Sequence, residues 1–398
     1  MKKSFLFVVF ILFAISSLVA QRPKCLDEAI LSIGKKDIIG AKRDIDKCFQ
    51  GNELSADTWL VRANVYVHYY DYELSRKKKD ENYVIKEPNA IIIANESFYK
   101  ALELKSDIKT PAGLFNPKEG QVLTADVINT MAANAMDNKN YAEAIKLFNL
   151  VIRSYRVNMT ENAKYLAEVY IDLANSYKNL GDDDNYKKTL LDAIKMNVAQ
   201  RSTYLKLYDL YEKEKDTVKC GEILAQARKA IPGDLEIKGY ELGYFVMIGD
   251  TSNLRTAAKA IFEQTKTNVD VINFVVEYMV DNKEYLLAEE MIKTGLAIDS
   301  NNLKLNQQMA LRYFYEAIDY QNISIEKSKE RPYNAAVVKA AQNKMNEVLE
   351  VAAIWAAKAF EIDQNDEKHN KMYAQILVRL TKPMPDELKE KIDSYNKH

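Results

Sequence analysis

The stretch VYIDLANSYKNLGDDDNYKKTLLDAIK, residues 169–195, decides the fold. Tyr170, Leu173, Ala174 and Tyr177 recur at three- and four-residue steps, the period of one helix face. Tyr186, Leu190 and Ala193 resume that period after Gly181-Asp182, a pair suited to a tight turn. Two amphipathic helices joined by a turn follow. The anchor late in the second helix, Ala193, has counterparts at Ala227, Ile261 and Gly295, each 34 residues after the last. The same pattern surrounds each anchor. Tyr204, Leu207, Tyr208 and Tyr211 precede Cys220, Leu224 and Ala227; Leu242 and Phe245 precede Leu254, Ala258 and Ile261; Val275, Val276 and Met279 precede Tyr285, Ala288 and Ile292. A fixed period of this length marks an array in which each unit buries its apolar face against the next.

The pattern continues outward with insertions. Ile128, Met131, Ala132, Tyr141, Ala144, Phe148 and Val151 form a unit turning at Asn138–Tyr141. Trp59, Ala63 and Tyr66 pair with Ala94, Phe98 and Ala101, and Cys25 and Ala29 pair with Ala41, Ile45 and Cys48. Met309, Ala310 and Tyr313 pair with Ala352, Ala356 and Ala359. Insertions are expected near 73–89, 106–122 and 320–334, as the mobile parts. Lys368–Leu380 and Pro385–Tyr395 read as closing helices, with Pro383 and Pro385 as breaks.

These units resemble the tetratricopeptide repeat, a 34-residue helix-turn-helix with an aromatic, a Leu-small pair, a Tyr, then Ala, an aromatic and Ala. The resemblance implies an all-α, right-handed superhelical solenoid of antiparallel helix pairs. It would span residues 21–380 as about seven or more repeats, with a capping helix in 381–398. It departs from the family in its insertions and in its scarcity of the Trp and the terminal Pro.

Composition agrees. The chain has 398 residues, 47% of them hydrophobic, which excludes wholesale disorder. Only 12 Gly and 8 Pro argue against a turn-rich sandwich or barrel. A formal net charge of −1 gives no support to nucleic-acid binding through a bulk basic surface. The three histidines, His68, His369 and His398, offer little for metal sites or His-based catalysis.

The N-terminus reads as a signal peptide over residues 1–20. Lys2 and Lys3 precede an apolar run, Phe5–Ile15, and small residues lead to Ala20 before Gln21. An uncleaved anchor is the alternative, but a spanning helix needs about 20 apolar residues. Cys25 follows Arg22-Pro23-Lys24 rather than a small-residue box, so no lipid anchor is expected. Cleavage would remove two lysines and leave −3. The setting is then extracytoplasmic, in the periplasm or at the outer membrane of a Gram-negative bacterium. In an oxidising compartment Cys25, early in one helix, and Cys48, late in its antiparallel partner, can bridge; two unpaired buried thiols are the alternative. Cys220 falls at a buried small position and should stay free.

Other motifs reduce to plain readings. Arg76-Lys77-Lys78-Lys79 reads as a solvated loop, since Asp80 and Glu81 follow at once. Asp182-Asp183-Asp184 reads as acids at a helix start. His68, placed near the end of a repeat helix, has no metal partner nearby in sequence. The Tyr stripes read as inter-repeat packing. The sequons at Asn95, Asn158 and Asn322 are expected by chance in an Asn-rich chain. No phosphate-cradling loop, nucleophile elbow or HExxH segment occurs, so no enzyme activity, metal or cofactor is expected.

The resemblance implies a ligand surface on the first helix of each repeat. Through the 34-residue register that face includes Glu168 and Asn175, then Asp209 and Glu212, then Gly239 and Gly243, then Asn273, Glu277 and Asp281. Across the third to seventh repeats it collects nine acidic residues and only Lys178 and Lys213 as bases, a net of −7. A basic or amphipathic polypeptide partner follows, gripped by side chains such as Asn175 and Asn273; the alternative is a solvated acidic face. The function expected is a non-catalytic protein-interaction scaffold of the cell envelope. A glycan- or nutrient-capture protein is the alternative, weakened by the presence of only Trp59 and Trp355.

Overall fold

A computed structural model describes residues 23–50 and 54–396. The segment read as a signal peptide lies outside them. Among the described residues there are eighteen α-helices, one short 3-10 turn (Arg156–Asn158) and no strand. The described residues divide into two compact units, one ending at Lys206 and the other starting at Leu207.

The first unit contains α1 (Lys24–Gly34), α2 (Ile38–Cys48), α3 (Ala56–Lys79), α4 (Ala90–Leu104), α5 (Pro117–Asp137), α6 (Tyr141–Tyr155), α7 (Met159–Leu180) and α8 (Asp183–Lys195). Each helix packs on its chain neighbours, and the first helices of successive pairs also touch: α1 on α3, α3 on α5, α5 on α7. Helix α9 (Arg201–Lys213) runs across the division. The second unit continues with α10 (Thr217–Ala230), α11 (Leu235–Ile248), α12 (Thr251–Gln264), α13 (Val269–Asp281) and α14 (Tyr285–Ile298). It ends with α15 (Leu303–Lys329), α16 (Ala335–Ile362), α17 (Glu367–Arg379) and α18 (Asp386–Tyr395). There too α11 touches α13 and α13 touches α15. Both units are all-α repeat solenoids built from antiparallel helix pairs.

One local device makes the hairpins. At Lys36, Lys139, Gly181, Lys215, Gly249 and Lys283 the backbone turns left-handed, with φ between 60° and 83°. The next residue, Asp37, Asn140, Asp182, Asp216, Asp250 or Glu284, sends its N–H back five residues to a carbonyl of the finished helix, at 2.8–2.9 Å. This 6→1 closure satisfies a carbonyl that the helix end would leave open. The same residue starts the next helix: the Asp37, Asn140, Asp182, Asp216 and Asp250 side chains each accept from the N–H three places on. Glycine suits the left-handed step at Gly181 and Gly249, whereas the lysines make it at a steric cost.

The register anchors are all interior: Ala193, Ala227 and Ile261 are buried, and Gly295 lies against Leu305 and Ile272. The expected helix faces hold as well, with Tyr170, Leu173 and Ala174 buried on α7 and Tyr186 and Leu190 on α8.

The insertions differ from expectation. Residues 73–79 belong to α3, 117–122 open α5, and 320–329 extend α15. Residues 73–79 and 320–329 carry helix formers such as Glu, Lys and Gln that let a helix run past its repeat length. Residues 117–122 start a helix through the Asn116 cap and Pro117 in its first turn. Arg76–Lys79 are therefore the exposed last turn of α3 rather than a loop, where four cations complement the helix dipole. His68 sits in the body of α3, half-buried, its ring 6.2 Å from that of Phe115. The segments that remain irregular are fastened. Buried Glu73 accepts from the Tyr83 hydroxyl at 2.8 Å and the Lys86 N–H at 2.6 Å. Buried Asn64 spans the N–H and carbonyl of Phe115, at 2.6 and 3.3 Å. At the start of the chain Cys25 and Cys48 join α1 to α2, with their Cα atoms 5.7 Å apart. Cys220 is free and buried.

Candidate interaction surface

Alternate helices of a stacked hairpin array lie side by side, so residues one repeat apart on first helices become neighbours. In the second unit this brings α9, α11 and α13 around a cavity of about 400 Å³. Asp209 and Glu212 reach it from α9, Glu236, Gly239, Tyr240 and Gly243 from α11, and Phe274 and Tyr278 from α13, with Tyr208 and Leu235 completing the wall. None of its lining residues is basic.

The register explains its shape. Gly243 stands one repeat after Asp209 and one before Glu277, and Gly239 one before Asn273. Where neighbouring repeats carry a side chain, α11 carries none. A Cβ at Gly239 would stand 3.2 Å from the Phe274 ring, and one at Gly243 would stand 3.7 Å from the Tyr278 hydroxyl. The two α13 rings thus lean over α11. Tyr208 meets Tyr240 edge to face at 5.1 Å, and Phe274 meets Tyr278 likewise at 5.3 Å. Phe274 keeps 42% of its surface exposed, although large aromatics normally bury theirs.

The local field is negative. The Tyr240 hydroxyl is hydrogen-bonded to Asp209, and burial, reinforced by Asp209, Glu236 and Glu212, raises its pKa. Burial and Glu212 push the Tyr208 phenol up, and burial, Glu277 and Glu212 do the same for Tyr278. Glu212 thus acts on three rings around the cavity. All three phenols stay protonated at neutral pH and add no charge of their own.

The other expected residues are placed differently. Glu277 is exposed on α13 beside Tyr278. Asp281 is the exposed last residue of that helix. Asn273 is half-buried and does not line the cavity; its amide donates to Asn302, the N-cap of α15, at 3.3 Å. In the first unit Glu168 is exposed on α7 and Asn175 half-buried on the same helix. Glu168 adds to the field on Tyr155, whose hydroxyl donates to Asp126 at 2.5 Å, and on Asp172, whose carboxyl burial raises. The acids were readable from the register. The aromatics were not, because Tyr at helical spacing reads as packing whether or not a neighbour covers it.

A second cavity of the second unit, about 380 Å³, lies between α15 and α17. Its chemistry is mixed: Gln307, Gln308, Asp366, His369, Lys368 and Lys371 line it with Leu311 and Phe314. Of the sequons, Asn95 is fully buried, with its amide on Thr124 and Ser154 at 2.8 Å, so the folded chain cannot be glycosylated there. Among the described residues no group of three or more His, Cys, Asp or Glu could hold a metal ion. Nor is any described helix long and apolar enough to cross a membrane.

No family model matches the sequence, and no curated protein matches it as a relative. Among solved structures, the chain is similar to the C-terminal part of a TPR repeat-containing protein from Cytophaga hutchinsonii. The two are 18% identical over 66% of this chain and 98% of the other, with a TM-score of 0.36. It is similar also to a TPR repeats protein from Bacteroides fragilis, at 15% identity over 79% and 98% of the two chains and a TM-score of 0.22. Pseudomonas aeruginosa pilF gives 15% identity over 64% and 96%, with a TM-score of 0.28. With scores of that size, the repeat architecture rests on this chain's own helix pairs, capped turns and buried register anchors.

Proposed function

We propose that this chain is a non-catalytic interaction scaffold of tetratricopeptide type, exported to the periplasm or outer membrane of a Gram-negative cell. There it holds a basic or amphipathic polypeptide against the first helices of its repeats. The observation that carries this reading is the cavity on α9, α11 and α13, where Asp209, Glu212 and Glu236 meet exposed aromatic surface with no basic side chain among them. Desolvated aromatics with a charged rim are what polypeptide anchors use. Export is supported by the signal-like segment ending at Ala20 and by the Cys25–Cys48 pairing. Sugar capture finds less support. Trp59 packs edge to face on Phe49 under the Arg62 guanidinium, and neither Trp59 nor Trp355 lines the acidic cavity.

The test begins with purification of the chain from its own envelope and identification of the proteins that stay bound. The triple change Asp209→Lys, Glu212→Lys and Glu277→Lys should then slow association with the identified partner and flatten its salt dependence, with the melting curve unchanged. Unchanged association rate and affinity would remove the acidic helix face as the binding surface.

A further inference from the structure

We infer that the cavity between α9, α11 and α13 is a socket for one arginine side chain of the bound polypeptide. This deepens the scaffold reading and rests on it. The rings supply faces for a planar cation, the exposed Phe274 first among them, and Tyr240 and Tyr278 frame the opening. Asp209 and Glu212 stand at its edge, able to accept the paired N–H groups of a guanidinium. Gly239 and Gly243 let the Phe274 and Tyr278 rings settle close on α11, so the socket lies beside those rings and against the acids of α9. A lysine ammonium could answer the charge, but it is a compact, strongly hydrated point and uses neither the flat walls nor a two-pronged contact.

The chain itself shows that such surroundings hold a cation. Lys42 lies near the Tyr66 and Tyr69 rings with Asp46 and Glu87 on its ammonium, and the more deeply buried case is an arginine. In the same unit as the cavity Arg312, 4% exposed, lies 3.9 Å from the Tyr313 ring centroid and 5.7 Å from that of Tyr285. Its guanidinium pairs with Glu289 at 2.8 Å and Glu316 at 2.5 Å. Two aromatic rings and two carboxylates thus enclose one internal arginine. In the first unit Arg62 lies 4.0 Å from the Phe49 centroid and 5.2 Å from that of Tyr66. The cavity on α9, α11 and α13 presents the same ingredients, and no arginine of the chain lines it. Its match is one supplied from outside.

The probes are N-acetyl-arginine amide, N-acetyl-lysine amide and N-acetyl-citrulline amide, titrated into the full chain and followed by the aromatic NMR signals of Tyr240, Phe274 and Tyr278. Citrulline keeps the shape and loses the charge; lysine keeps the charge and loses the plane. The arginine probe should shift these signals saturably, the lysine probe about ten-fold more weakly, and citrulline not at all. Phe274→Leu and Glu212→Gln should each weaken the arginine response about five-fold or more. Phe274 is exposed enough for its variant to fold, and a melting curve checks that. Equal responses to arginine and citrulline, equal responses to arginine and lysine, or no response to arginine would each overturn the socket. The envelope partner separates this failure from failure of the scaffold reading. A partner that binds Phe274→Leu undiminished but fails on the triple charge reversal leaves the scaffold standing without the socket; one insensitive to both removes the surface itself.

Discussion

The regular repeats and the irregular ends of this chain are held together differently. Between residues 159 and 298, where the 34-residue spacing is kept, the interior is mostly Leu, Ile, Val, Met, Ala and Tyr in register, with Asn162 on the Tyr155 carbonyl and Glu241 on Arg228 as its buried polar links. The buried hydroxyls Ser176 and Thr189 bond only to their own helices. Outside that block buried polar side chains fasten segments that the repeat would not place: Glu73 holds Tyr83 and Lys86, and four fully buried asparagines do the same elsewhere. Asn64 holds Phe115, Asn95 holds Thr124 and Ser154, and Asn306 reaches the Ser300 carbonyl at 3.2 Å. Asn370 takes the Gln364 carbonyl at 2.8 Å and the Tyr395 hydroxyl at 3.0 Å, docking α18. Periodic shape places a repeat because every neighbour offers the same groove. A segment without a periodic neighbour needs directional bonds, and a buried amide provides up to four.

The sharpest way to break this comparison is Asn64→Ala. It strips the side-chain partner from the part-buried N–H and carbonyl of Phe115 and leaves a void in α3. With each lost hydrogen bond worth about 0.5–1.5 kcal/mol and the void in α3 adding to them, the loss should reach roughly 3 kcal/mol. Hydrogen exchange should quicken first around residues 106–116, ahead of α7 and α8. A uniform loss of protection, or none, would mean that Asn64 does not hold that segment.

The regular block should fail through volume instead. Ala227 is fully buried late in α10. Ala227→Trp has no room, and overpacking of this kind costs about 1–3 kcal/mol. Chemical denaturation should show the loss with the helical signal retained. A melting point equal to that of the parent chain would place Ala227 outside the packed register.

How much of this was legible follows from the same contrast. The 34-residue anchors, the hairpins, the Cys25 and Cys48 positions and the Asp182 helix start all declare themselves by spacing or by local turn chemistry. The long helices α3, α15 and α16 do not, because a helix continuing past its repeat length looks like an interruption of the period. Nor do the asparagine clips, since their partners lie far off in sequence: 51 residues separate Asn64 from Phe115. In the candidate site Asp209 and Glu212 were readable as acids on an outward face. Tyr240 and Phe274, one repeat apart, were not separable from core aromatics, because helical spacing does not say which ring a neighbour leaves uncovered.

The smallest predicted effect concerns His369, which lies under the second cavity of the second unit. It is 4% exposed, with its Nε2 3.0 Å from the Ala356 carbonyl and its Nδ1 without a partner. Bonding to a carbonyl assigns a proton to Nε2, and burial with an unpartnered Nδ1 favours the neutral ring in the fold. Burial holds its pKa below 6.5, against smaller opposing effects from the Ala356 carbonyl and Asp366. The unfolded chain therefore takes up a proton near pH 6.5 that the folded chain refuses. The stability is present above that pH and is lost as the pH falls from about 6.5 toward the lower folded value, at no more than about 1.4 kcal/mol per pH unit. Asp366 does not share that window. Burial works against its carboxylate, but the His369 N–H and the Gln307 amide outweigh this and hold it below 3.8, so its stability is lost only at more acid pH. Urea titrations from pH 7.5 to 5.5 should thus show declining stability in the parent chain. In His369→Gln, whose amide can still donate to the Ala356 carbonyl but cannot titrate, the decline should be shallower by that amount. Parallel curves for the two proteins would show that another group carries the acid sensitivity.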